Sequence, residues 1–371
     1  MKKTIKKIIN FKNQLVYHSV DRYFIVDTKL QILNISSLEK YDSQKMYKIY
    51  DEWPKIARES FESKQEPINF DNINHIVFAG MGGSGAIGDM FASILSKTKI
   101  HVNVVKGYLL PTTVDSNTLV ITVSVSGNTM ETLSVLEAAH KKKSKIIAFS
   151  SGGTIEKYCF SNNISHRMIK KFHSPRATFP SYLYSILKVL HNTLKIKEGD
   201  ILESIKKLEI LNKKINSSNL TNDNISLNLA KGITSIPMIY YPFGLQSAAI
   251  RFKNSLQENS KMHAMSEDII EACHNGIVSW EKKSTIIPIL IRGSEDSSKT
   301  KDRWIILKGF FEENNIEFKE IISIEGNILS KLINLIYLLD YATIYKAVLD
   351  NTDPSPVKSI DYVKKRLSEN Q

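Results

Sequence analysis

The sequence predicts an α/β protein with two units in series, each a parallel sheet flanked by helices. Strand and helix patterns alternate from Asp71 to Gly153, and they alternate again from Ile236 onward. The strand segments are nearly continuous apolar runs, as expected of parallel strands that are covered on both faces. The 371 residues are enough for about two domains of roughly 150 residues each.

The elements of the first unit follow in order along the chain. The run HIVFAG predicts a strand that ends at glycines, and AIGDMFASIL predicts the next helix. IHVNVV and TLVITVSVS predict two further strands, and KIIAFSSGG predicts a fourth. Between them, GNTMETLSVLEAAHKKK predicts a helix whose basic last turn suits its dipole. Asn128 and Glu131 have the spacing of a capping box at the start of this helix.

Two helical segments, SYLYSILKVLHNTL and DILESIKKLEILNKKI, precede the second unit. Its predicted strands are IPMIYYPFG, TIIPILIRG and IEFKEIIS, its helices LQSAAIRFKNSLQENS and TKDRWIILKGFFEENN, and KLINLIYLLDYATIYKAVLD is a long final helix. The pattern is close to an internal duplication, although no residue-level repeat proves one. The predicted domains are residues 39–190 and 191–371, after an N-terminal extension at residues 1–38.

Composition narrows the class of protein. A hydrophobic fraction of 42% with 24% charged residues is typical of a globular protein. No apolar run approaches the ~20 residues that span a bilayer, so we expect no membrane segment. Two cysteines, Cys159 and Cys273, cannot form a disulfide framework, and with no secretory leader we expect a cytoplasmic protein. The charge of +12 comes from scattered lysines without a nucleic-acid motif, so we expect no nucleic-acid partner.

Two predicted strand ends are rich in small polar residues, at 82–85 (GGSG) and 124–129 (SVSGNT). In parallel α/β sheets, ligands bind at the carboxyl ends of strands, where helix N-termini present free N–H groups. Glycines let the backbone approach a ligand closely, and hydroxyl groups add donors for phosphate oxygens. The two loops together predict a site for one compact phosphate group.

A dinucleotide site is an alternative, because Gly80, Gly82 and Gly85 fit the G-x-G-x-x-G spacing. That interpretation calls for an acidic residue about 20 positions later, to bind ribose. The region reads VNVVKGY and offers Lys106, which can accept a 2′-phosphate. The dinucleotide fingerprint gives no role to the second loop, whereas a single phosphate between the loops explains both.

The same residues resemble the sugar isomerase (SIS) family. GMGGSG followed by SVSGNTMET is similar to its paired sugar-phosphate loops. Four later segments resemble the bifunctional phosphoglucose/phosphomannose isomerase branch, in the order SPRA, RFKNSLQENSK, HNGIVSW and DPSPVKSIDYVKKRL. The resemblance begins near Ser37 and implies two SIS-type domains in a homodimer that interconverts hexose 6-phosphates without a metal or other cofactor.

The resemblance also implies roles for particular residues. Glu258 would be the catalytic base, His274 the ring-opening residue, reaching the neighbouring subunit, and Lys364 a C-terminal residue of the site beside Lys365. Arg176 would face the reacting carbons. The substrate's phosphate and sugar would be bound by Gly83, Ser84, Ser124, Ser126 and Thr129.

Two departures from the family's pattern concern the sugar pocket. Val125 stands where the family commonly has Tyr, and PRATFP replaces a usually smaller run. The residue types nevertheless suit the chemistry, because proton removal beside a carbonyl needs a positioned base and a cation stabilises the developing enediolate.

Alternative roles remain for the residues taken by themselves. Glu258 can be a surface carboxylate paired with Lys253 or Lys261, and His274 can be a loop histidine. Arg176 can cap the preceding helix or form an ion pair with a carboxylate. His166 and His173, seven positions apart, are the best-spaced pair of metal ligands, but they lack a third ligand, so we expect no metal. The rival functions are a sugar-phosphate-binding SIS regulator and an isomerase of another phosphosugar.

Overall fold

The computed structural model describes residues 14–19, 22–27 and 33–369. The chain divides into two compact units, Met1–Leu33 and Asn34–Gln371, which are called the first and second unit from here on. Both α/β units predicted from the sequence lie within the second of them. The strands of the described residues are β1 (Gln14–Ser19), β2 (Arg22–Asp27), β3 (His75–Ala79), β4 (His101–Val105), β5 (Leu119–Ser124), β6 (Lys145–Ser150), β7 (Ser165–Met168), β8 (Pro237–Tyr241), β9 (Met265–Asp268), β10 (Ile287–Arg292) and β11 (Lys319–Ile322).

About half of the second unit is helical. Its helices are α1 (Ile35–Tyr41), α2 (Met46–Asp51), α3 (Trp53–Phe61), α4 (Gly82–Leu95), α5 (Met130–Lys141), α6 (Gly153–Ser161), α7 (Phe179–Leu190), α8 (Glu198–Ile215), α9 (Ile225–Gly232), α10 (Gln246–Asn259), α11 (Ile269–Ala272), α12 (Ser298–Glu313), α13 (Ile328–Leu349) and α14 (Lys358–Glu369), with a 3-10 helix at Gly276–Glu281.

The first unit contains one antiparallel hairpin. In it β1 pairs with β2, and Gln14 lies opposite Asp27 at the open end. The second unit contains two parallel sheets, as the alternating strand and helix patterns predict. The strand order is β4-β3-β5-β6-β7 in the first and β11-β10-β8-β9 in the second. The central strand β5 is buried at all six positions, which explains its continuous apolar run.

Two edge strands were missing from the sequence prediction. β7 has the sequence SHRM and β9 has the sequence MSED, and their residues are only partly buried or exposed. Such short polar strands lack the apolar pattern from which a strand is predicted. The helix α4 also begins four residues earlier than AIGDMFASIL predicts, at Gly82. The glycine-rich segment therefore forms the first turn of a helix.

A layer of helices and aromatic rings joins the two sheets of the second unit. Helix α13 packs against α8, α9 and α10, and α3 packs against α7. The Trp53 ring stacks on Tyr50 and Tyr337, with centroids 4.5 and 5.3 Å apart. By length and composition α13 could cross a membrane, but 89% of its apolar window is buried inside the protein. Its hydrophobicity thus serves the core.

Candidate active site

The first polar loop lies in the first turn of α4, directly after β3. Ser84 is buried, and its hydroxyl accepts a hydrogen bond from the backbone N–H of Val125 at 3.3 Å. A Cβ atom on Gly83 would lie 3.1 Å from the carbonyl oxygen of Pro175. The start of α4 therefore packs against both the second polar loop and the segment that carries Arg176.

The second polar loop joins β5 to α5. The Thr129 hydroxyl lies 2.9 Å from the Ser124 hydroxyl and 3.5 Å from the Ser126 hydroxyl. The Ser124 hydroxyl also accepts from the backbone N–H of Gly127 at 3.0 Å. Within the described residues no side chain caps the start of α5. Three hydroxyl groups thus cluster beside helix N–H groups that a phosphate can use.

A third loop, which the sequence interpretation missed, supports the second. Gly127 has φ +69°, and a Cβ atom there would lie 1.6 Å from the carbonyl oxygen of Gly152, after β6. The Asn128 amide oxygen accepts from the backbone N–H and the hydroxyl of Thr154 at 2.9 and 3.0 Å. The predicted capping box of Asn128 and Glu131 is therefore wrong, because the Asn128 side chain holds a neighbouring loop instead. The two glycines at the end of KIIAFSSGG were the sequence signal from which this third loop could have been predicted.

Arg176 is buried just before α7, and four hydrogen bonds fix its guanidinium group. Nη1 donates to Oε2 of Glu258 at 3.1 Å, and Nε donates to the Asn259 amide oxygen at 2.6 Å. Nη2 donates to the carbonyl oxygens of Pro354 and Ser355 at 2.7 and 2.9 Å. A buried charge with this many partners has one orientation, so the Arg176–Glu258 pair is preorganised.

Glu258 lies at the end of α10, and its side chain is 27% exposed. A ligand can therefore reach the carboxylate while Arg176 holds it. The next residue, Asn259, is fully buried, and its amide N–H donates to the Thr343 hydroxyl at 2.8 Å. Asn259 thus links Arg176 to α13. Asn259 lies within the RFKNSLQENSK segment, but the sequence alone gave it no role.

A buried ion pair supports the backbone of Arg176. The Arg251 guanidinium donates to Asp340 at 2.6 Å and to the carbonyl oxygen of Arg176 at 2.9 Å. Burial raises the pKa of Asp340, while the Arg251 charge and the Ser255 hydroxyl oppose that rise. The pair therefore contributes to fixing a loop of the site.

His274 and Lys364 lie apart from this group. His274 follows α11, is exposed, and its backbone N–H donates to the Glu271 carbonyl at 2.8 Å. Lys364 is exposed on α14. Among the described residues, no hydrogen bond or ion pair joins either side chain to Arg176 or Glu258. One chain thus brings together Gly83, Ser84, Ser124, Ser126, Thr129, Arg176 and Glu258.

The two spaced histidines bond to different partners. His166 lies 2.8 Å from the Ser150 hydroxyl, and His173 lies 3.3 Å from the Ser355 hydroxyl. Burial lowers the pKa of both imidazoles. No cluster of three metal-ligating side chains occurs among residues 33–369.

Comparisons with known proteins agree with the fold. Residues 222–367 match the family model of the bacterial phospho-glucose isomerase C-terminal SIS domain, and residues 70–177 match the SIS domain. A bifunctional phosphoglucose/phosphomannose isomerase of Caldicellulosiruptor bescii is 32% identical, over 81% of this chain and 92% of the relative. A protein of the same description from Thermoplasma acidophilum is 29% identical, over 84% of this chain and 97% of the relative.

A solved structure also shares this fold. It is the C-terminal domain of glucosamine-fructose-6-phosphate aminotransferase from Francisella tularensis, with a TM-score of 0.63 at 16% identity. The match covers 84% of this chain and 98% of that domain. The arrangement of the two parallel sheets is therefore that of paired SIS domains.

Proposed function

The chain belongs to the bifunctional phosphoglucose/phosphomannose isomerase family, and from this membership we propose that it interconverts glucose 6-phosphate and mannose 6-phosphate with fructose 6-phosphate. The observation that carries the proposal is the Arg176–Glu258 pair, 3.1 Å apart and adjoining the hydroxyl-rich loops. A protein that only binds a sugar phosphate needs the loops but no base. The pair therefore favours an enzyme over a regulator.

The phosphate group of the substrate binds to the start of α4 and to the loop before α5 in this proposal. The Ser84, Ser126 and Thr129 hydroxyls and the N–H groups at the helix start donate to phosphate oxygens. This places the sugar toward Gly83 and Arg176. The close approach of Gly83 to Pro175 supports that direction, because it brings the phosphate loop and the arginine loop together.

The reaction is a proton transfer between neighbouring carbons. The Glu258 carboxylate takes the C2 proton of the open-chain aldose, and the electron pair of that C–H bond forms the C1–C2 double bond of the enediolate. The Arg176 guanidinium stabilises the oxygen that becomes negative. Returning the proton to C1, while the O2 proton moves to O1, gives the ketose, and returning the proton to either face of C2 gives the two aldoses.

His274 opens the sugar ring, in our proposal, by moving a proton between the ring oxygen and O1. Because the imidazole is exposed and apart from Glu258 within one chain, we propose that it serves the site of a second copy in a homodimer. Lys364, exposed on α14, is proposed to enter a site in the same way.

The structure argues against the alternative of a dinucleotide site, because the lysine that would bind the 2′-phosphate is already paired. The Lys106 ammonium group lies 2.6 Å from Oδ2 of Asp89, so the residue proposed for a 2′-phosphate is already paired with an acid. An isomerase of another phosphosugar would use the same loops and the same base, and only substrate comparison separates it from the proposed function.

The direct test is incubation of the purified protein with fructose 6-phosphate, followed by identification of the aldose phosphates. We expect both glucose 6-phosphate and mannose 6-phosphate to form, and neither with the Glu258→Gln protein. A wild-type protein that forms neither aldose, yet converts an amino-sugar or tagatose phosphate, would contradict the proposed substrates.

A further inference from the structure

The loop 353–355 accepts hydrogen bonds from two cations through its carbonyl oxygens. Arg176 Nη2 donates to Pro354 and Ser355, as described above. Lys261 Nζ donates to the Pro354 carbonyl at 3.2 Å and to the Glu258 carbonyl at 2.5 Å. The Pro354 carbonyl oxygen is therefore shared by Arg176 and Lys261, and Lys261 connects this loop to the end of α10.

The backbone conformation of Lys261 directs its side chain back toward α10. Its φ of +55° lies in the left-handed region, which residues other than glycine seldom adopt. The chain turns back just after α10, and the ammonium group reaches a carbonyl of the last helical turn. A cation at that position also interacts favourably with the helix dipole.

Three charged groups face the Lys261 ammonium from the surrounding elements: Arg176 before α7, Glu258 on α10 and Asp353 after α13. Although the residue as a whole is exposed, partial burial of its ammonium group and the nearby Arg176 charge lower its pKa to about 8. The carboxylates of Asp353 and Glu258 oppose that shift. The charge of Lys261 therefore changes within a range where enzymes are commonly assayed.

We propose that Lys261 is a positioning residue whose side chain holds the loop 353–355 against the end of α10 and so fixes Arg176 on Glu258. The inference rests on the proposed isomerase function. The Lys261 amino group is the donor that the Glu258 and Pro354 carbonyls share, so its removal frees the loop, and Arg176 then loses a fixed acceptor.

The lowered pKa of Lys261 gives the direction of the pH effect. Because the pKa of Lys261 is lower in the folded state, the unfolded chain binds more protons between pH 8 and 10.5. This group therefore makes the free energy of unfolding rise with pH in that window. By the same linkage, deprotonation of Lys261 does not release the loop, so we expect no loss of kcat above pH 8 from this residue.

The kinetic test compares Lys261→Met with Lys261→Arg, and with Lys253→Met on α10 as the matched control. We expect Lys261→Met to lower kcat about tenfold at pH 7, the effect of about 1.4 kcal/mol, with KM nearly unchanged because the phosphate loops are intact. Lys261→Arg keeps a charged donor, so it should retain most of kcat. Lys253→Met should match wild type throughout.

A spectroscopic test needs no sugar substrate. The nitrogen chemical shift of Arg176 Nε, detected through carbon and assigned with Arg176→Lys, should change in Lys261→Met and stay close to the wild-type value in Lys261→Arg and Lys253→Met. An unchanged Arg176 shift in Lys261→Met, or a Lys261→Met protein with wild-type kcat, overturns the proposal. Failure of the isomerase assay alone overturns the proposed function, since the chemical shift reports separately on the Lys261 contact.

Discussion

At the scale of single residues, Arg176 connects distant parts of the chain. Its guanidinium group forms an ion pair with Glu258 across 82 positions of the chain. The other acceptors of Arg176 include the Pro354 and Ser355 carbonyls, which every residue type provides. Backbone acceptors leave no mark in a sequence, so only the fold reveals them.

The first prediction concerns the proposed base. Glu258→Gln keeps an oxygen that accepts from Arg176 and removes the basicity, so we expect isomerisation to fall by about 10²–10⁴-fold with substrate binding retained. Deuterium exchange at C2 of glucose 6-phosphate measures the step directly. Glu312→Gln on the exposed face of α12 is the control. Exchange at the wild-type rate in the Glu258→Gln protein would exclude this carboxylate as the base.

The second prediction concerns acid stability. Burial lowers the pKa of His166 and His173 below the usual 6.5, so below pH 6.5 the unfolded chain binds more protons than the folded chain. The free energy of unfolding should therefore fall as pH drops from 6.5. Urea denaturation between pH 5 and 7 should show that the free energy of unfolding depends less on pH in His166→Gln/His173→Gln than in the wild type, and an equal pH dependence would contradict the prediction.

At the scale of elements, patterning predicted the buried strands and failed at the edges. β5 and β10 are apolar runs inside sheets, whereas β7 and β9 are polar and were missed. The glycines at 82–85 were interpreted as a loop, yet in the structure they form the first turn of α4. Because glycine disfavours helices, local propensity gave the wrong boundary at the proposed phosphate site.

The third prediction tests the two-loop phosphate site. Ser126→Ala/Thr129→Ala removes two hydroxyls from the start of α5, so we expect affinity for fructose 6-phosphate and inorganic phosphate to fall about tenfold or more, since each lost hydrogen bond to a charged ligand is worth about 1.5–3 kcal/mol. Titration calorimetry measures both affinities. Thr113→Ala/Ser116→Ala, in an exposed loop, is the control. Unchanged phosphate affinity would place the site elsewhere.

The fourth prediction concerns the packing of the loops after β5 and β6. Gly127→Ala places a Cβ atom 1.6 Å from the Gly152 carbonyl oxygen, at a positive φ. We expect the free energy of unfolding to fall by on the order of 3 kcal/mol or more, because the backbone of one loop must move. Gly199→Ala in α8 meets no atom within 4 Å and should leave stability unchanged or slightly raised. Equal stability of the two variants in urea would contradict this.

At the scale of the whole molecule, the fold was predictable because two alternating patterns specify two parallel sheets. The assembly was predicted only through resemblance, and the dimer and its shared sites remain proposals. The exposed position of His274 is what a residue serving a second copy requires.

The fifth prediction tests these shared sites. Glu258→Gln and His274→Ala chains, refolded together, should form heterodimers in which one of two sites has both residues intact. Activity of the mixture should then recover to about a quarter of wild type, since random pairing makes half of the dimers mixed and half of their sites competent. Each variant refolded alone should stay inactive. An active monomer, or mixed dimers without recovery, would refute the shared site.

The hydrogen bonds of Arg176 to Pro354 and Ser355 also bear on the order of events during synthesis. These acceptors lie 178 and 179 residues after the arginine, so the ribosome adds them long after it has added Arg176. Until then a buried guanidinium would lack two of its partners, which is costly inside a protein. The sheet β4-β3-β5-β6-β7 can form earlier from its own strands. An unfinished chain can therefore hold the folded loops after β3 and β5 while the hydrogen bonds of Arg176 are still incomplete.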